Sequence, residues 1–322
     1  MLKNSQKLSK FLPKLQKKVL LKNHTTFKIG GPAEYFFVAD SKEDLISAVR
    51  TAKKMKMPVF IIGGGSNLLI SEKGFRGLVI KMNIDDIIFH NNKVMAGAGV
   101  NLSKLAYLSA DKGLSGLEWA SGIPRATVGG AIYGHAQAFG AKMSDAVKSV
   151  EAINLKTRRI KIFSKNQCQF SLKNSVFKNK KNLAIVSAVL ELRKNNKKEI
   201  KKLIRKFSVY RKKGHPLNFP SAGSVFVNPE TKIKNKKILA KYPELAQFNE
   251  KGVISAGYLI QKSGLAGKKI GRAQISKLHC NFIINLGGAK AEDVFSLVKL
   301  AQKKVKNNFG IFLVPEVRFL GF

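Results

Sequence analysis

The chain has 322 residues, 44% of them hydrophobic and 21 of them phenylalanine, which is enough apolar content for two or three packed domains and argues against a disordered chain. Its 59 Lys+Arg against 19 Asp+Glu give a formal net charge of +40, a field that attracts polyanions and nucleotide substrates. No zinc finger, recognition helix or aromatic-interleaved basic motif accompanies that charge, so specific nucleic-acid binding is not expected and the lysines read first as solvated surface. Two distant cysteines, Cys168 and Cys280, lack C-x-x-C spacing, and five histidines form no metal-ligand pattern. With no signal-peptide core or 18-residue apolar span, the expectation is a reduced, cytoplasmic protein without a membrane span or a metal.

Residues 1–20 read as a short basic amphipathic helix, with Leu8, Phe11, Leu12, Leu15 and Val19 on one side. A strand over Glu34–Val38 precedes a helix over Lys42–Met55, capped by Asp40 or Ser41 and carrying Glu43 and Asp44 in its first turn. Strands are expected at Val59–Ile62, Leu78–Met82, Ile87–Phe89 and Lys93–Ala96, then a helix at Leu102–Lys112 ended by Gly113. The glycines and proline of Leu117–Ala131 predict a tight loop delivering a helix near Val128–Ala138. Further strands follow at Val147–Leu155, Arg159–Phe163 and Leu183–Leu192. The lysine-rich Arg193–Glu199 reads as a connection between domains, and Glu199–Lys212 as a helix. Beyond it, Ser255–Ser263 is helical, Phe282–Asn285 a strand and Ala291–Val305 an amphipathic helix, before strands at Phe309–Val314 and Glu316–Phe319. There are no internal repeats.

The stretch with chemical content is Ile61–Ile70, I-I-G-G-G-S-N-L-L-I. A buried strand feeds Gly63, Gly64 and Gly65, whose bare backbone lets a phosphate approach the N–H groups, with Ser66 and Asn67 as added short-range donors. The loop lacks the Lys-Ser/Thr ending of a P-loop and the G-x-G-x-x-G spacing, and on its own three glycines are commonly a structural turn. Its neighbours give it meaning: T-T-F-K-I-G-G over Thr25–Gly31, S-G-I-P-R-A-T-V-G-G over Ser121–Gly130, P-S-A-G-S-V-F-V-N-P over Pro220–Pro229, and P-E-V over Pro315–Val317.

Together these motifs, spread over Thr25–Gly321, resemble the UDP-N-acetylenolpyruvoylglucosamine reductase (MurB) family. The resemblance implies an α+β fold: a two-subdomain FAD-binding module of the vanillyl-alcohol-oxidase/PCMH type over 21–198 (subdomains about 21–82 and 83–198), then a C-terminal α+β substrate domain over 199–322. It implies FAD held by Ile29, Gly30, Gly31, Gly63, Gly64, Gly65, Ser66, Asn67, Leu68, Ser121, Gly122, Ile123, Thr127, Gly129 and Gly130. It implies NADPH as hydride source and UDP-N-acetylglucosamine enolpyruvate as substrate, reduced to UDP-N-acetylmuramate for peptidoglycan and hence for cell shape and division. An enol ether conjugated to a carboxylate takes hydride at its terminal carbon, and the resulting enolate needs stabilisation and one proton. By resemblance Ser224 gives that proton, and Glu316 stabilises the intermediate. Lys173 stands where the family has the arginine of Y-R-x-S-x-F. Lysine keeps the charge and loses the planar, two-pronged grip on a carboxylate.

Other departures are Arg125-Ala126 in the third motif, one residue longer than the family's P-G-T, the segment Gly134–Gly140 in place of M-N-A-G-A-Y-G, and Val227 in place of lysine. The short, lysine-rich connection 228–255 places the chain in the branch without an inserted tyrosine-bearing loop. Lys234, Lys236, Lys237 and Arg272 remain open as contacts for the UDP diphosphate. A working reductase with Lys173 or Arg125 supplying the missing charge competes with a catalytically impaired flavin-fold paralogue that binds a nucleotide sugar.

Overall fold

The computed structural model describes residues 12–180 and 182–322. They form two compact units, one made of the described residues up to Leu20 with Pro32–Gly65 and Gly74–Arg211, the other of Leu21–Gly31, Ser66–Lys73 and Lys212–Phe322. This division differs from the expected limits at 20, 82 and 198. Two motif-bearing segments, Leu21–Gly31 and Ser66–Lys73, go with the C-terminal residues because they find their backbone partners there, roughly 250 positions along the chain, a pairing that no local pattern announces.

The first unit starts with a four-stranded sheet. Strand β1 (Gln16–Leu20) runs antiparallel to β2 (Pro32–Ala39); helix α1 (Lys42–Lys54) then leads to β3 (Val59–Ile62), and both β2 and β3 lie parallel to β4 (Phe75–Met82) in the order β1-β2-β4-β3. The helix expected over 1–20 is therefore corrected where it is described. Gln16–Leu20 is a strand, since the edge of β2 offers it backbone partners, and residues 1–11 lie outside the described residues. Ser41 caps α1 by accepting the N–H of Asp44 at 3.0 Å. Leu45, Ala48, Val49 and Ala52, spaced along one face of α1, share a core with Phe37, Leu78 and Ile80. Because side chains alternate along a strand, Ile80 on β4 points into this core and Lys81 points to the opposite face.

A five-stranded antiparallel sheet completes the unit. Its strands are β5 (Ile87–His90), β6 (Lys93–Gly97), β7 (Val147–Asn154), β8 (Ile160–Ser164) and β9 (Leu183–Glu191), in the order β8-β7-β9-β6-β5. Helix α2 (Leu102–Asp111) is capped by Asn101, and α3 (Val128–Tyr133) by Thr127. The latter ends five residues before the expected Ala138: Gly134 closes it and His135 takes φ +45°, which no helix continues. Helix α4 spans Lys197–Gly214, starting two residues before the expected Glu199.

In the second unit, helix α5 (Ala256–Lys262) precedes strands β10 (Ala273–Ile275) and β11 (Ile283–Asn285), with Lys269–Ile270 on the outer side of β10. Helix α6 (Ala291–Phe309) buries Val294, Leu297, Val298, Ala301 and Val305 in the core of this unit. The expected strand Phe309–Val314 does not form. Phe309 is the last residue of α6, Gly310 ends it in the left-handed region at φ +71°, and residues 311–314 find no ladder. The following strand is Arg318–Leu320, parallel to Leu68–Ile70. No helix among the described residues is long and apolar enough to cross a membrane.

Asn281, 4% exposed, clamps the segment that contains Ser224. Its side chain accepts the N–H of Phe226 and donates to the carbonyl of Phe226, both at 2.9 Å, while its own carbonyl accepts the N–H of Val225 at 2.8 Å. Asn281→Leu leaves two buried backbone groups of Phe226 unpaired. It is expected to cost about 3 kcal/mol, read as a lower urea midpoint at unchanged denaturant slope.

Candidate active site

In the first unit, β3 delivers Gly63, Gly64 and Gly65 to a loop that lies against the third motif. A Cβ on Gly64 would sit 1.4 Å from the Arg125 carbonyl oxygen, and one on Gly63 would sit 2.6 Å from Thr127 Oγ1. These two glycines are thus required so that residues 125–127 can close on the loop, where the sequence suggested a structural turn or room for a phosphate. Gly65 has φ +66°, a left-handed conformation that glycine adopts without penalty. Lys81 Nζ donates to the Gly63 carbonyl. Burial, with the Arg125 guanidinium as a smaller contribution, pulls the Lys81 ammonium down to about 8. Neither cation has a carboxylate partner among the described residues, and the buried Gly64 N–H has no acceptor there. A buried donor left open in a loop bordered by two cations without carboxylate partners fits a phosphate-bearing ligand.

The third motif is built mainly by its own packing. Ser121 is fully buried, its hydroxyl donating to the Ile204 carbonyl at 3.2 Å, and Gly122 N–H donates to Ser103 Oγ at 3.0 Å. Ile123 is half-buried beside the main core. Thr127 accepts the Gly130 N–H at 3.3 Å as the cap of α3, while Gly129 lies so close to Ala98 that a Cβ would meet the alanine methyl at 2.8 Å. From α4, the buried Arg211 donates to the carbonyls of Ser121 (3.0 Å) and Trp119 (2.8 Å), and its guanidinium lies 4.9 Å from the centre of the Phe139 ring. Phe139 also stacks on Phe207 at 4.3 Å.

The turn that carries Lys173 is a tight hairpin closed by paired backbone hydrogen bonds between Ser171 and Asn174, both 3.1 Å. Lys173 is half-buried with φ +52°, and its carbonyl accepts from Lys178 Nζ at 2.8 Å. The serine and phenylalanine of this motif are structural: Ser175 Oγ donates to the Tyr133 carbonyl at 2.8 Å, and Phe177 is fully buried. His135, 4% exposed, ties the turn down. One ring nitrogen, Nδ1, donates to the Ser171 carbonyl at 2.5 Å, so Nε2 accepts from Ser144 Oγ at 2.9 Å. Burial lowers the His135 pKa, outweighing the opposing effect of the Ser171 carbonyl.

In the second unit, the Ile29 side chain is a core residue beside Phe27 and Leu69. Gly30, at φ +144°, passes close to Lys22 N, and Gly31 N–H donates to the Ser71 carbonyl at 2.9 Å. Ser66 and Asn67 are half-buried and Leu68 is buried. Asn67 reaches the last motif twice: its side chain donates to the Glu316 carbonyl and its own carbonyl accepts the Arg318 N–H, both at 3.1 Å. Ser224 pairs with Phe282, Phe226 pairs with Pro315, and Glu316 N–H donates to the Val225 carbonyl at 2.7 Å. The unit therefore brings Ser224, Glu316 and Asn67 onto adjoining backbone. Glu316 is half-buried, between exposed Val314 and buried Val317.

Residues 33–162 match the FAD binding domain family, which makes the chain a flavoprotein of α+β architecture. Residues 215–320 match the C-terminal domain of UDP-N-acetylenolpyruvoylglucosamine reductase. The protein of that name from Caldanaerobacter subterraneus subsp. tengcongensis is 38% identical over 302 residues, covering 94% of this chain and 92% of the relative. The one from Alkaliphilus oremlandii is 38% identical over 326 residues, covering 99% and 98%. The crystal structure of the Thermus caldophilus reductase superposes with a TM-score of 0.75 at 31% identity, covering 95% of this chain and 99% of that one. The chain belongs to the UDP-N-acetylenolpyruvoylglucosamine reductase family.

Arg211, His135 and Asn281 escaped the sequence reading because their partners are backbone groups far along the chain. Lys81 left a trace, a lone charge inside the apolar run Leu78–Met82. Gly64→Ala is expected to destabilise the first unit by at least about 3 kcal/mol and to abolish flavin retention, because its methyl has no space beside the Arg125 carbonyl; thermal unfolding and the visible spectrum of the purified variant test both. Burial also lowers the His279 pKa. The unfolded chain therefore binds more protons than the folded one below about pH 6.5, so stability is complete above that value and is lost as the pH falls. Urea midpoints are expected to drop between pH 7 and pH 5, with a smaller drop in His135→Gln.

Proposed function

We propose that the chain is a working FAD-dependent reductase of UDP-N-acetylglucosamine enolpyruvate, using NADPH and yielding UDP-N-acetylmuramate for peptidoglycan. The observation that carries this reading is the pairing of Ser224–Phe226 with Pro315–Val317 in one unit, which sets a hydroxyl and a carboxylate on neighbouring backbone from motifs some 90 residues apart. When bound, FAD would accept hydride from NADPH and return it to the terminal enol carbon. Gly63, Gly64 and Gly65 with residues 121–130 would hold it.

Hydride addition leaves negative charge on the neighbouring carbon and its carboxylate. The Ser224 hydroxyl gives its proton to that carbon and is reprotonated from solvent. It is a weak acid, so the transfer depends on the strong basicity of the carbanion. Glu316 is the hydrogen-bond partner of the intermediate, and Lys173 contributes positive charge where an arginine would grip the carboxylate by two bonds. The left-handed backbone of Lys173 supports a second reading, a paralogue that binds the nucleotide sugar with little turnover.

Anaerobic addition of NADPH to the purified protein is expected to bleach the flavin band, and subsequent addition of UDP-N-acetylglucosamine enolpyruvate to restore it. Ser224→Ala should bleach at the wild-type rate and recover on the order of 10²-fold or more slowly. Bleaching of the wild type without recovery supports the paralogue, and a protein that binds no flavin rejects both readings.

A further inference from the structure

Lys81 is absent from every motif that marks the family resemblance, yet its surroundings are unusual for a lysine. It sits inside β4, level with Val38 on β2 and Ile62 on β3, two apolar neighbours. Asp40, at the same end of β2, is taken by Lys14 at 3.3 Å and Asn83 at 2.8 Å. From the residues 125–127 the charged group acting on it is Arg125, which repels it. Lys81 is thus a half-buried cation, partly withdrawn from water, with a carbonyl, that of Gly63, as its hydrogen-bond partner. Such a placement costs free energy and calls for a compensating return.

The return follows from peptide geometry. In a trans peptide the C=O of one residue and the N–H of the next point in opposite directions. Holding the Gly63 carbonyl toward Lys81 turns the Gly64 N–H toward the other face of the loop, where it has no acceptor among the described residues. Between two glycines the peptide has a wider choice of orientations than between other residues, and the bond to Lys81 selects one. A positive charge on the carbonyl also polarises the unit and strengthens its N–H as a donor to an anion.

We propose that Lys81 is a positioning residue for the flavin: it locks the Gly63–Gly64 peptide so that the Gly64 N–H is presented to a phosphate oxygen of the FAD diphosphate. The proposal rests on the flavin reading above. It makes binding proton-linked, because the arriving dianion holds the Lys81 proton more tightly than the empty loop does, where that proton is released near pH 8.

The test is calorimetric titration of FAD into the flavin-stripped full chain at pH 6.5 and 8.5, in buffers of different ionisation enthalpy. The wild type should take up a clear fraction of a proton at pH 8.5 and close to none at pH 6.5, with affinity falling as the pH rises. Lys81→Met should bind about tenfold more weakly at pH 6.5 and lose the uptake. Lys81→Arg, which keeps the charge and does not titrate here, should retain the affinity at pH 6.5 and also lose the uptake. Wild-type binding without proton uptake at pH 8.5, or uptake that persists in Lys81→Arg, overturns the proposal and decides the matter even if Lys81→Met does not fold. Absence of FAD binding by the wild type removes the flavin reading and this inference together, whereas tight binding with identical proton linkage in wild type and Lys81→Arg removes only the latter.

Discussion

The closure of residues 125–127 on Gly63 and Gly64 is the constraint on which the first unit's site depends. The Arg125 carbonyl occupies the place where any other residue at 64 would carry its Cβ, and Thr127 occupies the corresponding place at 63. Two loops from distant parts of the chain thereby become one rigid surface. Thr127 belongs to both, since its hydroxyl also accepts the Gly130 N–H and caps α3. Glycine here is selected for contact with the Arg125 backbone at 64 and with the Thr127 side chain at 63.

Around this contact the chain invests buried and half-buried polar groups whose partners are main-chain carbonyls. Arg211 holds Trp119 and Ser121, His135 holds Ser171, and Lys81 holds Gly63. Each bond fixes a segment without regular secondary structure, which would otherwise carry the full entropy of a loop. Four residues among the departures from the family pattern share a backbone feature. Arg125, His135, Phe139 and Lys173 all have positive φ, at 53, 45, 55 and 52°. Each residue with a side chain in that region costs on the order of 1 kcal/mol, and the packing of Phe139 on Phe207 and Arg211, with the two hydrogen bonds of His135, offsets part of it.

The second unit uses the same device for a different purpose. Asn281 substitutes for a strand partner of Phe226, and Asn67 for a partner of the Glu316 segment. Short stretches carrying Ser224 and Glu316, outside regular strands, are thus held by side-chain amides and isolated bridges. An amide side chain is well suited to this, because it offers one donor and one acceptor in the spacing of a peptide group.

The sequence by itself determined the elements whose signal is local. Helix α1 follows from its cap and apolar stripe, α6 from its heptad-like run, the β3–glycine transition from composition, and the family from five separated motifs. Tertiary structure decided what depends on partners remote in sequence. Gln16–Leu20 is a strand because β2 has an edge to fill, residues 311–314 are not a strand because they join no ladder, and α3 stops early because His135 turns back to Ser171 and Ser144. Among the site residues, the motifs located Gly63, Gly64, Ser121 and Thr127, but only the fold assigned Ser121 to packing and the two glycines to loop closure. Periodicity reports which face of an element is apolar; it carries no information about which carbonyl a buried lysine, arginine or asparagine will reach, since that is fixed by the three-dimensional path of the chain.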